Sequence, residues 1–270
     1  MILNYLKEYF KIGNINIDNI NTKGYKYIVG NKEDLIKVIF PHFDNYPLQG
    51  SKYLDYLDFK RSVLLLNDSF NDIDRVLSIK SNMNKSRSYE ERWNYLKDKE
   101  FNIMPEWIQA FIDGEGTFQC RIAETISRGA RQGAPYIAVN PTLEIAQKSH
   151  DVFVLNAIIE YFGLGYLKPK YNIHSLKECK NSRTVSRAVF NQFDSIIKFV
   201  DQYPMLTRKQ LDYKDWKEII ELKKSNAHYT TEGKETMLKL KLGMNRGRFL
   251  NSSSFNSSDK LQIIKSADNN

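Results

Sequence analysis

The sequence predicts an α+β protein with antiparallel sheets, built from tandem αββαββα repeats, the first of them N-terminally truncated. Three observations predict this. Helix-like and strand-like periodicities follow one another as helix, strand pair, helix, strand pair, helices. Blocks from the first half recur in the second. Hydrophobic residues make up 41% of the 270, and aromatics 13%, enough to build a core rather than a disordered chain.

The duplication is read from three ordered matches. "LNYLKEYFKIG" at 3–13 matches "LNAIIEYFGLG" at 155–165, a shift of 165 − 13 = 152. "DNYPLQGSKYLDYLDFK" at 44–60 matches "DQYPMLTRKQLDYKDWK" at 201–217, a shift of 201 − 44 = 157. "IKSNMNKSR" at 79–87 matches "LKLGMNRGR" at 240–248, a shift of 240 − 79 = 161. The growing offset fits loop insertions such as "NIHSLKECKNSR" at 172–183. Residue 1 corresponds to residue 153, so residues 104–152 have no counterpart. Four segments follow: a partial first repeat at 1–87, a charged linker at 88–103, a complete second repeat at 104–248 and a polar tail at 249–270.

The second repeat opens with a short helix over 105–114, in which Ile108, Phe111 and Ile112 form an apolar stripe. "TFQCRIAETI" and "APYIAVNPTLEIAQ" read as strands joined by a basic loop with Arg128 and Arg131. A helix over 149–163 is capped by Ser149 or Asp151 and ends near Gly163. Two strands follow, about 165–171 and 183–190, then helices at about 192–200, 207–223 and 231–242. The first repeat enters this order at its second helix. The Ser/Asn-rich tail is expected to be largely unstructured.

A net charge of +8 and a pI of about 9.2 favour an anionic partner, nucleic acid before an anionic membrane. No apolar run approaches the ~18 residues of a membrane span. The N-terminus lacks the pattern of a signal peptide. Two cysteines, Cys120 and Cys179, exclude a disulfide framework and a Cys-rich zinc site. Heavy use of Asn, Ile, Lys and Tyr fits an AT-rich genome such as a mitochondrion's.

"PEWIQAFIDGEGTFQCRI" at 105–122 carries the chemistry. Ala110 and Gly114 lie four apart on one helix face, where small residues let a second helix approach closely. Asp113 and Glu115 stand at the C-terminal end, where the dipole disfavours carboxylates unless a cation or donor meets them. Gly114 and Gly116 let the backbone turn near a ligand. A carboxylate beside a phosphate suits a hard cation such as Mg²⁺, which promotes phosphodiester hydrolysis. Taken alone, the two acids also read as solvated turn residues.

"WIQAFIDGEGTF" resembles the signature of the LAGLIDADG homing endonucleases, with its nine positions on Ile108 to Gly116. "LEIAQKS", "FDSIIKFVDQYPMLTRKQLDYKDWKEII" and "KETMLKLKLGMNRGR" resemble the two-repeat, single-chain members of fungal mitochondrial introns. The resemblance implies a two-helix seam lined by Ile108, Ala110, Phe111, Ile112, Asp113 and Gly114. It implies divalent metal, Mg²⁺, at Glu115 with Gly114, and a helix-ending role for Asp113. Gln147 matches the family's water-orienting residue. Lys209 matches its basic residue near the scissile phosphate, with Lys52 as the equivalent in the first repeat (209 − 157 = 52). Ala110 stands where the family usually has Gly. Double-stranded DNA is the implied partner, with Arg121, Arg128, Arg131, Lys168, Lys170, Arg183 and Arg187 on the contact sheet. The implied activity is site-specific, intron-encoded DNA cleavage in the mitochondrion. A splicing maturase that binds intron RNA, or a non-cleaving remnant, is the alternative. The chain carries one signature acid where the family uses two, so the expectation is a fragment whose other helix comes from an upstream segment or a second chain, or a degenerate copy with impaired cleavage.

Overall fold

In a computed structural model the structure describes residues 2–19, 24–67, 72–126, 133, 135–170, 172–181 and 185–250. Elements run α1 (Ile2–Phe10), β1 (Asn14–Asn19), β2 (Gly24–Ile28), α2 (Lys32–Asp34), a π-turn (Leu35–Ile39) and α3 (Phe40–Asn45). Next come α4 (Lys52–Leu65), α5 (Ile73–Ser81), α6 (Tyr89–Leu96), α7 (Pro105–Glu115), β3 (Gly116–Ile126) and β4 (Pro135–Lys148). The remainder is α8 (Val152–Phe162), β5 (Tyr166–Lys168), α9 (Leu176–Asn181), β6 (Val185–Phe190), α10 (Phe193–Gln202), α11 (Lys209–Lys224), α12 (Thr231–Gly243) and α13 (Arg246–Leu250). None of these helices is long and apolar enough to cross a membrane. Arg128, Arg131, Arg183 and the tail from 251 onward lie outside the described residues.

Two compact units form. The first comprises residues 1–103, 148–157 and 171–186; the second comprises 104–147, 158–170 and 187–270. In the first, β1 and β2 pair antiparallel from Asn14↔Ile28 to Asn19↔Gly24. Leu35, Phe40, Tyr56 and Val63 form its core under α4. The segment expected as a linker carries α6, whose Trp93 and Leu96 are buried; Trp93 packs 4.7 Å from Phe153, ring to ring. Insertion 172–183 likewise holds a short helix, α9, rather than loop alone.

In the second unit the sheet order is β3-β4-β6-β5. β3 and β4 are a long antiparallel hairpin running from Gly116↔Ile145 to Ile126↔Pro135. Strict alternation puts Phe118, Cys120 and Ile122 inward, with Val139, Leu143 and Ile145 beside them. α10 buries Ile196, Phe199 and Val200, and α11 buries Tyr213, Trp216, Ile219 and Ile220, each a one-sided helical stripe.

The duplication extends to individual hydrogen bonds. The Tyr56 hydroxyl lies 3.1 Å from Phe40 O and 2.8 Å from Asp44 Oδ1, and Lys60 Nζ sits 2.5 Å from Asp44 Oδ2. In the second unit Tyr213 lies 3.2 Å from Ile197 O and 2.6 Å from Asp201 Oδ1, and Lys217 sits 2.6 Å from Asp201 Oδ2. A second clamp repeats too. Asn84 N donates to Asp55 Oδ1 at 2.8 Å, and Arg87 binds Asp55 and Asp58. Asn245 N donates to Asp212 Oδ1 at 3.0 Å, and Arg248 binds Asp212 and Asp215. Asn84 and Asn245 both take the left-handed backbone, at φ 56° and 53°, which Asn tolerates better than most residues.

Candidate active site at the end of the signature helix

α7 begins with Pro105 in its first turn, where a missing N–H costs nothing. Ile108 and Ile112, one turn apart, are completely buried in the second unit. Phe111 stacks on Trp107 with ring centroids 4.5 Å apart. Ala110, Gly114 and Glu115 lie on the exposed side. The six residues expected at a helix seam therefore divide: Ile108 and Ile112 face this unit's interior, while Ala110 and Gly114 face outward. A Cβ added at Gly114 would meet nothing within 4 Å, so the packing described here does not demand a glycine. Gly116 is the opposite case, because its Cβ would lie 2.6 Å from Ile112 O. The chain can enter β3 straight from α7 only with hydrogen in that place.

The two acids of the motif separate clearly. Asp113 Oδ2 accepts from Leu206 N at 2.7 Å and Thr207 N at 3.0 Å, and Oδ1 accepts from Thr207 Oγ1. Gln109 Nε2 adds a bond to Pro204 O at 2.5 Å. Asp113 thus ties α7 to the loop that starts α11, a wider role than ending its own helix. Glu115, the last helical residue, projects to solvent.

Lys209, the first residue of α11, reaches back to donate to Gly116 O. Burial pushes its ammonium pKa down, and the carboxylates of Asp113, Asp212 and Glu115 pull it part of the way back. Gln147 is half-buried on β4, two residues beyond the Gly116↔Ile145 pair, at the same end of the hairpin as Glu115. Glu115 and Lys209 therefore converge, with Gln147 on the adjoining strand end. Lys52 does not share their arrangement: it binds Asn84 Oδ1 at 2.6 Å and Asp55 Oδ2 at 3.4 Å in the first unit. Among the described residues no strand end stands before it to supply the carbonyl that Lys209 finds at Gly116.

Among the described residues no group of three or more His, Cys, Asp and Glu side chains converges on a metal-sized point. The chemistry at Glu115 still fits a hard divalent cation. One carboxylate and the nearby backbone carbonyls are oxygen donors, and phosphate oxygens and water would complete such a shell. Elsewhere, Ser51, His150 and Asp151 cluster without forming a proton relay. His150 Nδ1 faces both Ser51 Oγ at 3.4 Å and Asp151 Oδ2 at 3.2 Å, so one nitrogen would have to serve both neighbours. Burial pushes the Cys120 thiol up to about 11, which leaves it an inert core residue.

The outer sheet face is polar. Gln119 and Arg121 on β3 stand opposite Thr142 and Asn140 on β4. Lys168 on β5 stands opposite Arg187 on β6, and Arg187 Nε lies 3.6 Å from Glu144 Oε2. Lys170 is exposed just past β5. The cations anticipated at Arg121, Lys168, Lys170 and Arg187 thus have accessible positions at or beside this sheet. Gln119, Asn140, Thr142 and Glu144 were not singled out by charge; counting alternate positions along the hairpin would have found them.

The sequence profile described as LAGLIDADG endonuclease matches residues 1–63 and 108–220, more than half of the chain. "Probable intron-encoded endonuclease 3" of Neurospora crassa is 29% identical over 250 residues, covering 86% of this chain and 44% of its own length. "Probable intron-encoded endonuclease 2" of the same fungus is 25% identical, covering 83% of this chain and 51% of its own length. The chain thus spans about half the length of these curated relatives. Among solved structures, the meganuclease I-SmaMI bound to uncleaveable DNA superposes at TM-score 0.72 and 27% identity, covering 91% of this chain and 84% of that one. I-SmaMI has also been solved with its uncleaved DNA target in the presence of calcium ions. I-AabMI bound to uncleaved DNA gives 0.71 and 25%, covering 90% and 85%. A matching profile over most of both repeats and a shared fold lead to one conclusion: the chain belongs to the LAGLIDADG endonuclease family.

Proposed function

We propose that the chain is part of a site-specific, intron-encoded DNA endonuclease that hydrolyses phosphodiester bonds with Mg²⁺. One observation carries this reading: the signature helix ends in two acids, of which Asp113 is fully engaged in holding a loop while Glu115 is left exposed beside Lys209. Glu115, with the Gly114 carbonyl, is the residue set for the metal, which supplies charge neutralisation at the scissile phosphate. Lys209 contributes a cation held in place by Gly116 O, positioned to favour charge developing on a phosphate oxygen. Gln147 orients water through its amide. Lys52 holds the matching position for the other strand once a second signature helix stands before it.

The outer face of β3-β4-β6-β5 is the DNA surface, with Arg121, Lys168, Lys170 and Arg187 on phosphates. Gln119, Asn140 and Thr142 are at base edges in the major groove. Residues 104–248 act as the complete second repeat and 1–87 as part of the first. A mitochondrial location is supported by a relative named "Uncharacterized mitochondrial protein RF1" in Saccharomyces cerevisiae, 25% identical over 248 residues.

The test is Mg²⁺-dependent cleavage of duplex DNA containing the intronless insertion site, with the second signature helix supplied. Glu115→Gln is expected to abolish cleavage at Glu115's strand and to leave DNA affinity within a few-fold of the parent. Unchanged cleavage by Glu115→Gln would sink the assignment.

A further inference from the structure

The turn ahead of each repeat's lysine is held by different partners. In the second unit, residues 204–207 lead to Lys209, and α7 holds them through Gln109 and Asp113. At the 157-residue shift that turn corresponds to 47–50, which leads through Ser51 to Lys52. Its holders are Lys99 and Arg92, from the charged segment 88–103, and Asp151, just before α8.

Lys99 takes the carbonyls. Its Nζ donates to Leu48 O at 3.2 Å and to Gln49 O at 3.0 Å. Three rings surround the same ammonium, with centroids 5.6 Å away at Tyr53, 5.3 Å at Tyr95 and 5.6 Å at Phe101. Cation–π attraction offsets part of the cost of burying it. Burial still pushes its pKa down, and the charge of Asp151 pulls it part of the way back. Asp151 takes the donors. Its Oδ1 accepts from Ser51 N at 2.7 Å, and its Oδ2 accepts from the Ser51 hydroxyl at 3.1 Å. A Cβ added at Gly50 would lie 3.3 Å from Asp151 Oδ1, so a side chain there would crowd the carboxylate. Arg92 Nη1 also donates to Ser51 Oγ, at 3.1 Å. A cation on the carbonyls and an anion on the N–H and hydroxyl thus grip one turn through charge-assisted bonds. Ser51 is 1% exposed, so little water competes for them.

We propose that Lys99 and Asp151 are positioning residues for Lys52. They fix the start of α4, from which the Lys52 side chain extends to Asn84 and Asp55. The inference rests on the reading of Lys52 as the cation for one of the two scissile phosphates, and it adds what aims that cation. Both residues act through the backbone at 48–51 rather than on the phosphate. The two lysines are then braced by unlike means. Lys209 depends on the signature helix, and Lys52 on the segment between the repeats together with the start of α8. Damage to one brace leaves the other lysine in place.

Amide hydrogen exchange at Ser51–Tyr53 of the full chain reads the brace without cleavage. Lys99→Ala and Asp151→Ala are each expected to speed it about tenfold, as for a lost charge-assisted hydrogen bond. Propylammonium, which replaces the missing part of the Lys99 side chain, is expected to restore slow exchange in Lys99→Ala. Equal rescue by propanol would overturn the part given to the cation. Strand-resolved nicking by the assembled enzyme is the second readout, with Lys52→Met and Lys209→Met identifying the strand that each lysine serves. Lys99→Ala and Asp151→Ala are expected to slow the Lys52 strand about tenfold or more and to leave the Lys209 strand within about twofold. Unchanged exchange in both variants overturns the proposal. Equal slowing of the two strands overturns it as well, because a general loss of stability produces that result. If Lys52→Met slows neither strand, the catalytic reading of Lys52 fails, and exchange at 51–53 alone decides whether the brace exists.

Discussion

Gly114 and Gly116 stand two residues apart and should respond oppositely to the same substitution. Gly114→Ala adds a methyl into open space on a helix, so it gains helix propensity of up to about 0.5–1 kcal/mol, toward the low end so near the C-terminus. For a protein of this size that raises the unfolding midpoint by about 1–4 °C. Gly116→Ala puts its Cβ 2.6 Å from Ile112 O and 2.9 Å from Ile112 Cγ2. Neither α7 nor β3 can relieve this without a backbone shift, an overpacking cost of about 1–3 kcal/mol and a midpoint lower by about 2–12 °C. Thermal unfolding followed by circular dichroism compares the two. Cleavage by the assembled enzyme adds the functional arm: Gly114→Ala, though the more stable protein, is expected to lose activity because a methyl holds the second helix away. If Gly114→Ala destabilises as much as Gly116→Ala, the open space over Gly114 is wrong. If it cleaves normally, the seam does not run over that residue.

Three further outcomes follow from the paired clamps. Tyr213→Phe and Tyr56→Phe each remove a hydroxyl that faces a carbonyl and a carboxylate, and each should cost about 1–3 kcal/mol in chemical denaturation. Arg87→Met leaves Asp55, whose side chain is 4% exposed, without its buried partner, and should cost about 3–5 kcal/mol. Burial pushes the Asp55 carboxyl up, but donors from Asn84 N and Arg87, with the charges of Lys52 and Arg92, bring it below its ordinary value. Its folded pKa is therefore below its unfolded one. The stability it contributes is present above the unfolded pKa of about 3.9 and is lost as pH falls through the folded value. Asp55→Asn should lose less stability than the parent across that acid window, measured by urea unfolding at stepped pH.

Much of the fold was legible because the duplication is local in kind. Tyr56, Asp44 and Lys60 recur at one offset, so the sequence match carried their hydrogen bonds with it. The hairpin of β3 and β4 was legible from alternation, and α7 from its apolar stripe. What could not be read depended on distant partners. Asp113 looks like a helix-ending acid until Leu206 and Thr207 are seen to donate to it across the fold. Lys52 and Lys209 match in sequence but differ in their surroundings, because only Lys209 has Gly116 O within reach. The 88–103 segment reads as charged, and its charges hide Trp93, which finds Phe153 some sixty residues on. The division of Ile108 and Ile112 from Ala110 and Gly114 was open to a helical-wheel count, but which side faces inward was not.

The stitching of α7 to the loop before α11 has a mechanical consequence. Asp113 and Gln109 hold residues 204–207, and two residues further on Lys209 holds Gly116. The carboxylate at Glu115 and the ammonium at Lys209 therefore share one mount, although they are far apart in the chain. Any tilt of the helix carries both together, preserving the distance between them while changing where the pair points. Substitutions along that mount should register as a change in which phosphate is cut before they register as a failure to cut.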